Sequence, residues 1–158
     1  MILKYPNPIL RRKSEEIKEI TPEIKELALD MQETMMKNKG IGLAASQIGI
    51  LKRMIAIKTE TGPEVFVNPK IIKKSKEKEI MEEGCLSFPE FFLEIKRPKK
   101  VEIEAINLDG KKVKIQAGGL LARVFQHEID HLDGILFIDR LNLFQRIRIK
   151  KTLKKSKS

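Results

Sequence analysis

The sequence holds a single cysteine, Cys85, so no disulfide can close within the chain, and a reducing, cytoplasmic setting is expected. It has no run of the ~18 or more apolar residues that a membrane-spanning helix needs. Its opening MILKYPNPIL is too short and too broken by proline to read as a signal peptide. Nine glycines and seven prolines are scattered among 158 residues, 41% of them hydrophobic and 34% charged, which excludes collagen-like, low-complexity and largely disordered classes. A chain of this length is expected to make one compact domain rather than two. Histidine is scarce, with only His127 and His131, and acids run out early: no Glu follows Glu128 and no Asp follows Asp139.

That last absence locates the charge. The formal net charge is +10, yet residues 140–158 hold eight basic side chains and no acid, leaving 24 basic against 22 acidic residues, a net +2, in residues 1–139. The surplus that would suggest a polyanionic partner therefore belongs mainly to a tail, where Arg146, Arg148, Lys150, Lys151, Lys154, Lys155 and Lys157 also fit a simple solvated terminus.

Thr21-Pro22-Glu23 supplies an N-cap, a first-turn proline and an early acid, and Ile24, Leu27, Met31 and Met35 recur at helical spacing. This predicts a helix over 22–38, stopped by Gly40, with Met31, Met35 and Met36 read as core. The following GIGLAASQIG is rich in small residues and too irregular for a long helix. β-prone stretches stand near 54–57, 65–67, 70–73 and 79–81. Val101, Ile103 and Ala105 alternate with polar neighbours, Asp109-Gly110 offers a turn, and Val113 and Ile115 resume the alternation, which predicts a hairpin. A Gly118-Gly119 break opens LLARVFQHEIDHLDG as a second helix with Leu120, Val124, His127 and His131 on one face. Leu141, Phe144 and Ile147 suit a last helix that frays into the basic tail, although residues 146–150 alternate like a strand. The expected fold is α+β: antiparallel sheets packed around a central helix that carries the two histidines, with an N-terminal and a C-terminal helix.

The histidines bracket Glu128 in H-E-I-D-H. On a helix, imidazoles at i and i+4 point the same way and can grip one metal ion, with the adjacent carboxylate in reach of a metal-bound water. A catalytic site usually needs a third protein ligand. The H-E-x-x-H-x-x-G-x-x-H peptidase pattern holds through Gly134 but meets Phe137 where its third histidine would stand. Asp130 and Asp133 sit too close along the helix to swing to the same face, and Asp139 would need a tight return. Cys85, in EEGCLSFPE, is the better candidate, since a thiolate and two imidazoles make a tetrahedral site with one open position. A small buried thiol, or a Cys nucleophile paired with one histidine, remains as the alternative; neither accounts for Glu128.

With three segments the sequence closely resembles the peptide deformylase family: Gly40-Ile41-Gly42-Leu43-Ala44-Ala45-Ser46-Gln47-Ile48-Gly49, Glu83-Gly84-Cys85-Leu86-Ser87, and Gln126-His127-Glu128-Ile129-Asp130-His131-Leu132-Asp133-Gly134. The likeness covers about residues 1–141, and implies a catalytic domain over 1–141 followed by a basic C-terminal helix and tail over 142–158. It implies one divalent ion held by Cys85, His127 and His131, with Fe²⁺ as the natural ion and Zn²⁺, Ni²⁺ or Co²⁺ as substitutes. It implies that a metal-bound water attacks the formyl carbonyl of an N-terminal formylmethionine, releasing formate, with Glu128 as general base and acid. Gln47 and the Leu86 N–H would be the oxyanion donors. Ile41 and Gly42 would bind the substrate backbone, Leu120 and Val124 would line the methionine pocket, and Arg97, counted with the substrate-binding residues, would form with Glu83 a charged pair that props the Cys85 loop. The partners implied are nascent formylmethionyl chains and, through the basic tail, the ribosome; no membrane partner is expected. Two departures stand out: Ser46 where many relatives have proline, and Phe91-Phe92 where polar or basic residues are common. The rivals are a general H-E-x-x-H peptidase and a basic RNA-binding module with a structural metal.

Overall fold

In the computed structural model, which describes residues 1–155, a five-stranded antiparallel sheet lies between two helices, and a two-stranded ribbon stands at its side. The strands are β1 (Gly42–Ala44), β2 (Met54–Thr59), β3 (Gly62–Lys74), β4 (Lys78–Cys85), β5 (Phe88–Pro98), β6 (Lys100–Ile106) and β7 (Lys112–Gly118); the helices are α1 (Pro22–Lys37), α2 (Gly119–Leu132) and α3 (Leu143–Lys155). The large sheet runs β1-β2-β3-β6-β7, and β4 and β5 pair with each other alone. The expected α+β class is the observed one.

β2 shows why the sheet is sandwiched. Its residues Met54, Ile55, Ala56 and Ile57 are all buried. Side chains alternate across a strand, so Ile55 and Ile57 join the cluster under α2 with Phe66, Ile103, Phe125 and Ile129. Met54 and Ala56 face the other way, into the cluster under α1 with Ala28, Met31, Met35 and Val67. A third cluster, holding Leu10, Phe88, Ile95, Phe137 and Leu141, fastens the β4–β5 ribbon to the segment after α2, and Ile149 and Leu153 of α3 pack on it.

α1 begins where the cap predicts: the Ile24 N–H donates to Thr21 Oγ1 at 3.3 Å. It ends at Lys37, short of Gly40, because Asn38 caps it, donating from its backbone and its side chain to the Thr34 carbonyl. Met31 and Met35 are core, but Met36 is 43% exposed and does not belong with them; it lies beyond the apolar stripe that faces the sheet. α2 stops at Gly134, whose φ of 71° only glycine adopts readily and whose missing Cβ makes room for the Arg11 carbonyl, which a Cβ would meet at 2.3 Å.

Three expectations need correction. The stretches near 65–67 and 70–73 are one strand, β3, its register broken by irregularities between Val67 and Lys70 and between Ile71 and Lys73. β5 has no counterpart in the periodicity reading, because Phe88, Ile95 and Arg97 are its buried positions, and a charged residue inside hides the alternation. β1, too short for a periodic signal, lies within the small-residue segment. The expected last helix is present over Leu143–Lys155, and Lys157 of the basic run lies outside the described residues.

Candidate metal centre

Cys85 closes β4, while His127, Glu128 and His131 ride on α2, so the centre exists only where the ribbon meets the helix. The ligand atoms of Cys85, His127 and His131 all lie within 4.8 Å of one another, with Cys85 Sγ 3.3 Å from His131 Nε2. Among the described residues this is the one His/Cys/Asp/Glu group of that kind. The three aspartates weighed against Cys85 are engaged elsewhere: Asp130 with Arg97 and Arg140, Asp133 with Arg53, and Asp139 with Arg11.

A buried carboxylate orients the first histidine. Glu83 Oε1 accepts from His127 Nδ1 at 2.8 Å, and an ionised carboxylate can only accept, so the proton of this imidazole sits on Nδ1. In the neutral ring that a metal requires, this leaves the Nε2 lone pair for the ligand, the arrangement by which carboxylates fix the tautomer of metal-binding histidines. Arg97 grips Glu83 with two bonds, at 2.6 and 3.0 Å. Arg123 adds a third at 2.8 Å and ties the carboxylate to the carbonyls of Ile95 and Glu79. Arg97 also donates to Asp130 at 2.8 Å, and Arg140 clamps the same carboxylate from the rim.

Arg97 is therefore not a substrate-binding residue: it is 3% exposed, and its Nε, Nη1 and Nη2 are all taken by Glu83 and Asp130. Its part is to hold the partner of His127. Arg123, Asp130 and Arg140 were not anticipated in this role. The available signal was a pair of arginines and a spare aspartate on or beside the histidine helix, too common a pattern to single out.

The electrostatics follow from this network. Burial pushes the Glu83 carboxyl upward, but the bonds from His127 and Arg97 outweigh it and hold the group well below the usual glutamate range. Burial draws His127 down, yet the Cys85 sulfur and the Glu83 and Glu128 carboxylates lift it well above an ordinary histidine. Burial and the charge of His127 press His131 well below that value. Burial raises Glu128 to about 7, against the pull of His127, which leaves a carboxylate able to take and return a proton near neutrality.

Both walls of the cleft carry the expected residues. Gln47 Oε1 accepts from the Ala44 N–H at 2.9 Å, which turns Nε2 toward Cys85 Sγ at 3.6 Å and Ser87 Oγ at 3.1 Å. β1 is the edge of its sheet, paired to β2 on one side. The Ile41 carbonyl is already taken on that side by the Lys58 N–H at 2.9 Å. Backbone direction alternates along a strand, so Gly42 presents its polar groups to the open edge, and Ile41 contributes its side chain. Gly42 lies hard against α2: a Cβ there would stand 2.5 Å from Glu128 Oε1 and 2.8 Å from Val124 Cγ1. Ile41, Leu120 and Val124 line a cavity of about 70 Å³ beside His127 and Glu128; Val124 is buried and Leu120 half open to solvent. Leu86 borders the adjoining cleft of about 480 Å³ with Gly40, Cys85 and Phe91.

The donor set suits a metal on the structure's own terms. One soft sulfur and two imidazoles converge, the first imidazole is pre-set by a carboxylate, and Glu128 Oε2 is a buried oxygen with no hydrogen-bond partner in the protein.

Comparison with known proteins agrees with this geometry. The family model for polypeptide deformylase matches residues 1–146. A peptide deformylase of Desulforudis audaxviator is 47% identical over 140 residues, covering 88% of this chain and 91% of that protein. One from Rhizobium meliloti is 43% identical over 150 residues, covering 92% and 86%. Among solved structures, peptide deformylase from Thermotoga maritima superposes with a TM-score of 0.87 at 41% identity, covering 90% of this chain and 97% of that one. Peptide deformylase from Ehrlichia chaffeensis in complex with actinonin gives 0.91 at 39%, covering 98% and 95%.

Because the folded Glu83 is depressed below its ordinary value of about 4.5, its contribution to stability is complete above that pH and is lost as pH falls toward the folded value. Glu83→Gln leaves two buried guanidiniums short of a counter-charge and should cost about 3–5 kcal/mol at pH 7. Urea denaturation from pH 7 down to pH 3 checks this: the gap between wild type and variant should narrow as the solution is acidified.

Proposed function

Because the chain belongs to the polypeptide deformylase family, we propose that Cys85, His127 and His131 hold its metal ion and that Glu128 carries the proton in the family's reaction. Peptide deformylases remove the formyl group from N-formylmethionine on nascent peptides, and this chain is an enzyme of that kind, a metal-dependent hydrolase. The observation that supports the residue roles is the convergence of one sulfur, two imidazoles and one proton-accepting carboxylate at the end of a cleft whose wall is an open strand edge.

Held by Cys85, His127 and His131, a divalent ion would supply the Lewis acidity that polarises a formyl group and acidifies water. Glu128 accepts the proton from the attacking water and later delivers it to the departing amine, which is why a carboxyl near neutrality suits the task. The Gln47 amide, aimed by Ala44, and the Leu86 N–H donate to the oxyanion that forms on the formyl oxygen; loss of one such donor typically costs about 2.7–4 kcal/mol of barrier. Gly42 pairs with the extended substrate as an added strand. The methionine side chain enters the cavity of Ile41, Leu120 and Val124.

We propose Fe²⁺ as the natural ion; thiolate and imidazole also accept Zn²⁺, Ni²⁺ and Co²⁺. A lone cysteine that must stay a reduced ligand fits a cytoplasmic location. The catalytic unit is residues 1–141, and the basic segment 142–158, whose described part carries α3, docks on the ribosome. The reason is chemical: within α3 the exposed Arg148, Lys150, Lys151 and Lys154 face water with no acid in the helix to neutralise them, a surface matched to RNA phosphate.

Metal-loaded protein should release formate from formyl-Met-Ala. Glu128→Gln should keep its metal and lose at least about a hundredfold in kcat; a variant that turns over normally removes Glu128 from its role. Since Ile149 and Leu153 pack on the third core cluster, charge reversal is a cleaner probe of the tail than truncation. Lys150, Lys151 and Lys154 changed together to Glu should abolish salt-sensitive co-sedimentation with ribosomes and spare turnover of formyl-Met-Ala. Ribosome binding that survives the change makes the tail solubilising charge only.

A further inference from the structure

The two donors assigned to the oxyanion stand on different sheets. Gln47 lies just after β1 of the large sheet, Leu86 stands in the turn that joins β4 to β5, and no strand pairing joins the two sheets. The turn is also poorly equipped to hold its own shape. Cys85 pairs with Phe88, so Leu86 and Ser87 are the two residues of the loop. Two-residue hairpin loops favour glycine, asparagine or aspartate at positive φ, and neither Leu86 nor Ser87 is of that kind or has a positive φ.

The start of the chain supplies what the turn lacks. The Leu3 N–H donates to the Gln47 carbonyl at 2.7 Å, and the Tyr5 N–H donates to the Ser87 carbonyl at 2.9 Å. Between them, Lys4 Nζ donates to the Leu86 carbonyl at 2.6 Å. The Tyr5 ring stacks on Phe88, the first residue of β5, with centroids 4.8 Å apart. This segment is itself anchored, since Ile2 is buried in the cluster under α1 while Leu3 and Tyr5 pack on the third core cluster. Three consecutive residues thus hold Gln47, Leu86 and Ser87 in one frame. Lys4 differs from its neighbours in that its bond comes from an exposed side chain at the margin of the cleft, beside Gly40, Gln47 and Cys85.

We infer that Lys4 is a positioning residue of the reaction, whose ammonium holds the Leu86 carbonyl so that the Leu86 N–H stays aimed at the oxyanion. The inference rests on the deformylase reading of the site. The N–H and the carbonyl of Leu86 flank one Cα, and the peptide groups on either side are planar, so fixing the carbonyls of Leu86 and Ser87 leaves the Leu86 N–H little freedom to turn. Without the ammonium the Leu86 carbonyl is released and the N–H leaves its line. An oxyanion donor is effective because it is in place before charge develops, and a misplacement of about 1 Å can cost about a hundredfold in rate. The formyl oxygen becomes an anion only as the reaction proceeds, so the loss belongs to kcat rather than to KM.

Turnover of formyl-Met-Ala by metal-loaded wild type, Lys4→Met and Lys4→Arg tests this. Methionine keeps a stem of similar length without the donor, and arginine keeps a cationic donor. Lys4→Met should lower kcat about tenfold with KM within about twofold of wild type. Its melting temperature should stay within about 2 °C, as for a surface substitution, with metal content unchanged. Lys4→Arg should bring kcat back to within about threefold of wild type. The proposal is overturned by an unchanged kcat in Lys4→Met, by a loss confined to KM, by a loss that follows a fall in melting temperature or metal content, or by Lys4→Arg as impaired as Lys4→Met. Each of those outcomes leaves the deformylase reading standing, whereas no formate from metal-loaded wild type removes that reading and the role of Lys4 together.

Discussion

Four hydrogen bonds from Arg97, Arg123 and His127 converge on the carboxylate of Glu83, in a place almost closed to water. Burying one carboxylate costs several kcal/mol, and the cost is recovered only if nearly every lone pair is matched by a positive donor. Here it is. Glu83 lies on β4, Arg97 on β5, and Arg123 and His127 on α2, so satisfying one charge fixes a two-stranded ribbon against a helix that shares no backbone pairing with it. Asp130 repeats the device one turn along α2, between Arg97 and Arg140. Two carboxylates and two fully buried guanidiniums leave the interior close to neutral.

The candidate centre depends on that docking. Cys85 ends the ribbon and both histidines belong to the helix, so neither element carries a site without the other. The sheet side is held as closely, since Gly42 touches Glu128 where any larger residue would push β1 away from α2. The open strand edge, the carboxylate and the ligand cluster are thus set within contact distance by one glycine and one buried acid. Glu128 is raised toward neutrality by the same burial that the packing imposes, against the pull of His127.

What could be read from the chain without coordinates follows from how local each signal is. The H-E-x-x-H spacing lies within two turns of one helix, and the Asp109-Gly110 hairpin joins two adjacent strands, so both are legible. Cys85 could be preferred as third ligand by exclusion, because Asp130 and Asp133 sit too close to the histidines along the chain and Asp139 needs a tight return; in the structure all three are engaged by arginines. Arg97 was misplaced among the substrate contacts for the opposite reason: a buried arginine and an exposed one look alike in sequence, and only the distant Asp130 shows which it is. β5 was hidden by the same residue, its inward position filled by a charge where periodicity asks for an apolar side chain. The bond from Lys4 to the Leu86 carbonyl joins positions 82 residues apart, which no local pattern encodes.

The central claim is that a ribbon cysteine and two helix histidines form one metal centre, brought together by the Glu83 network. X-ray absorption at the metal edge of the loaded protein tests it most directly. The account predicts a first shell of one sulfur and two imidazole nitrogens, with the sulfur lost in Cys85→Ser. A first shell of nitrogen and oxygen alone in the wild-type protein would contradict it.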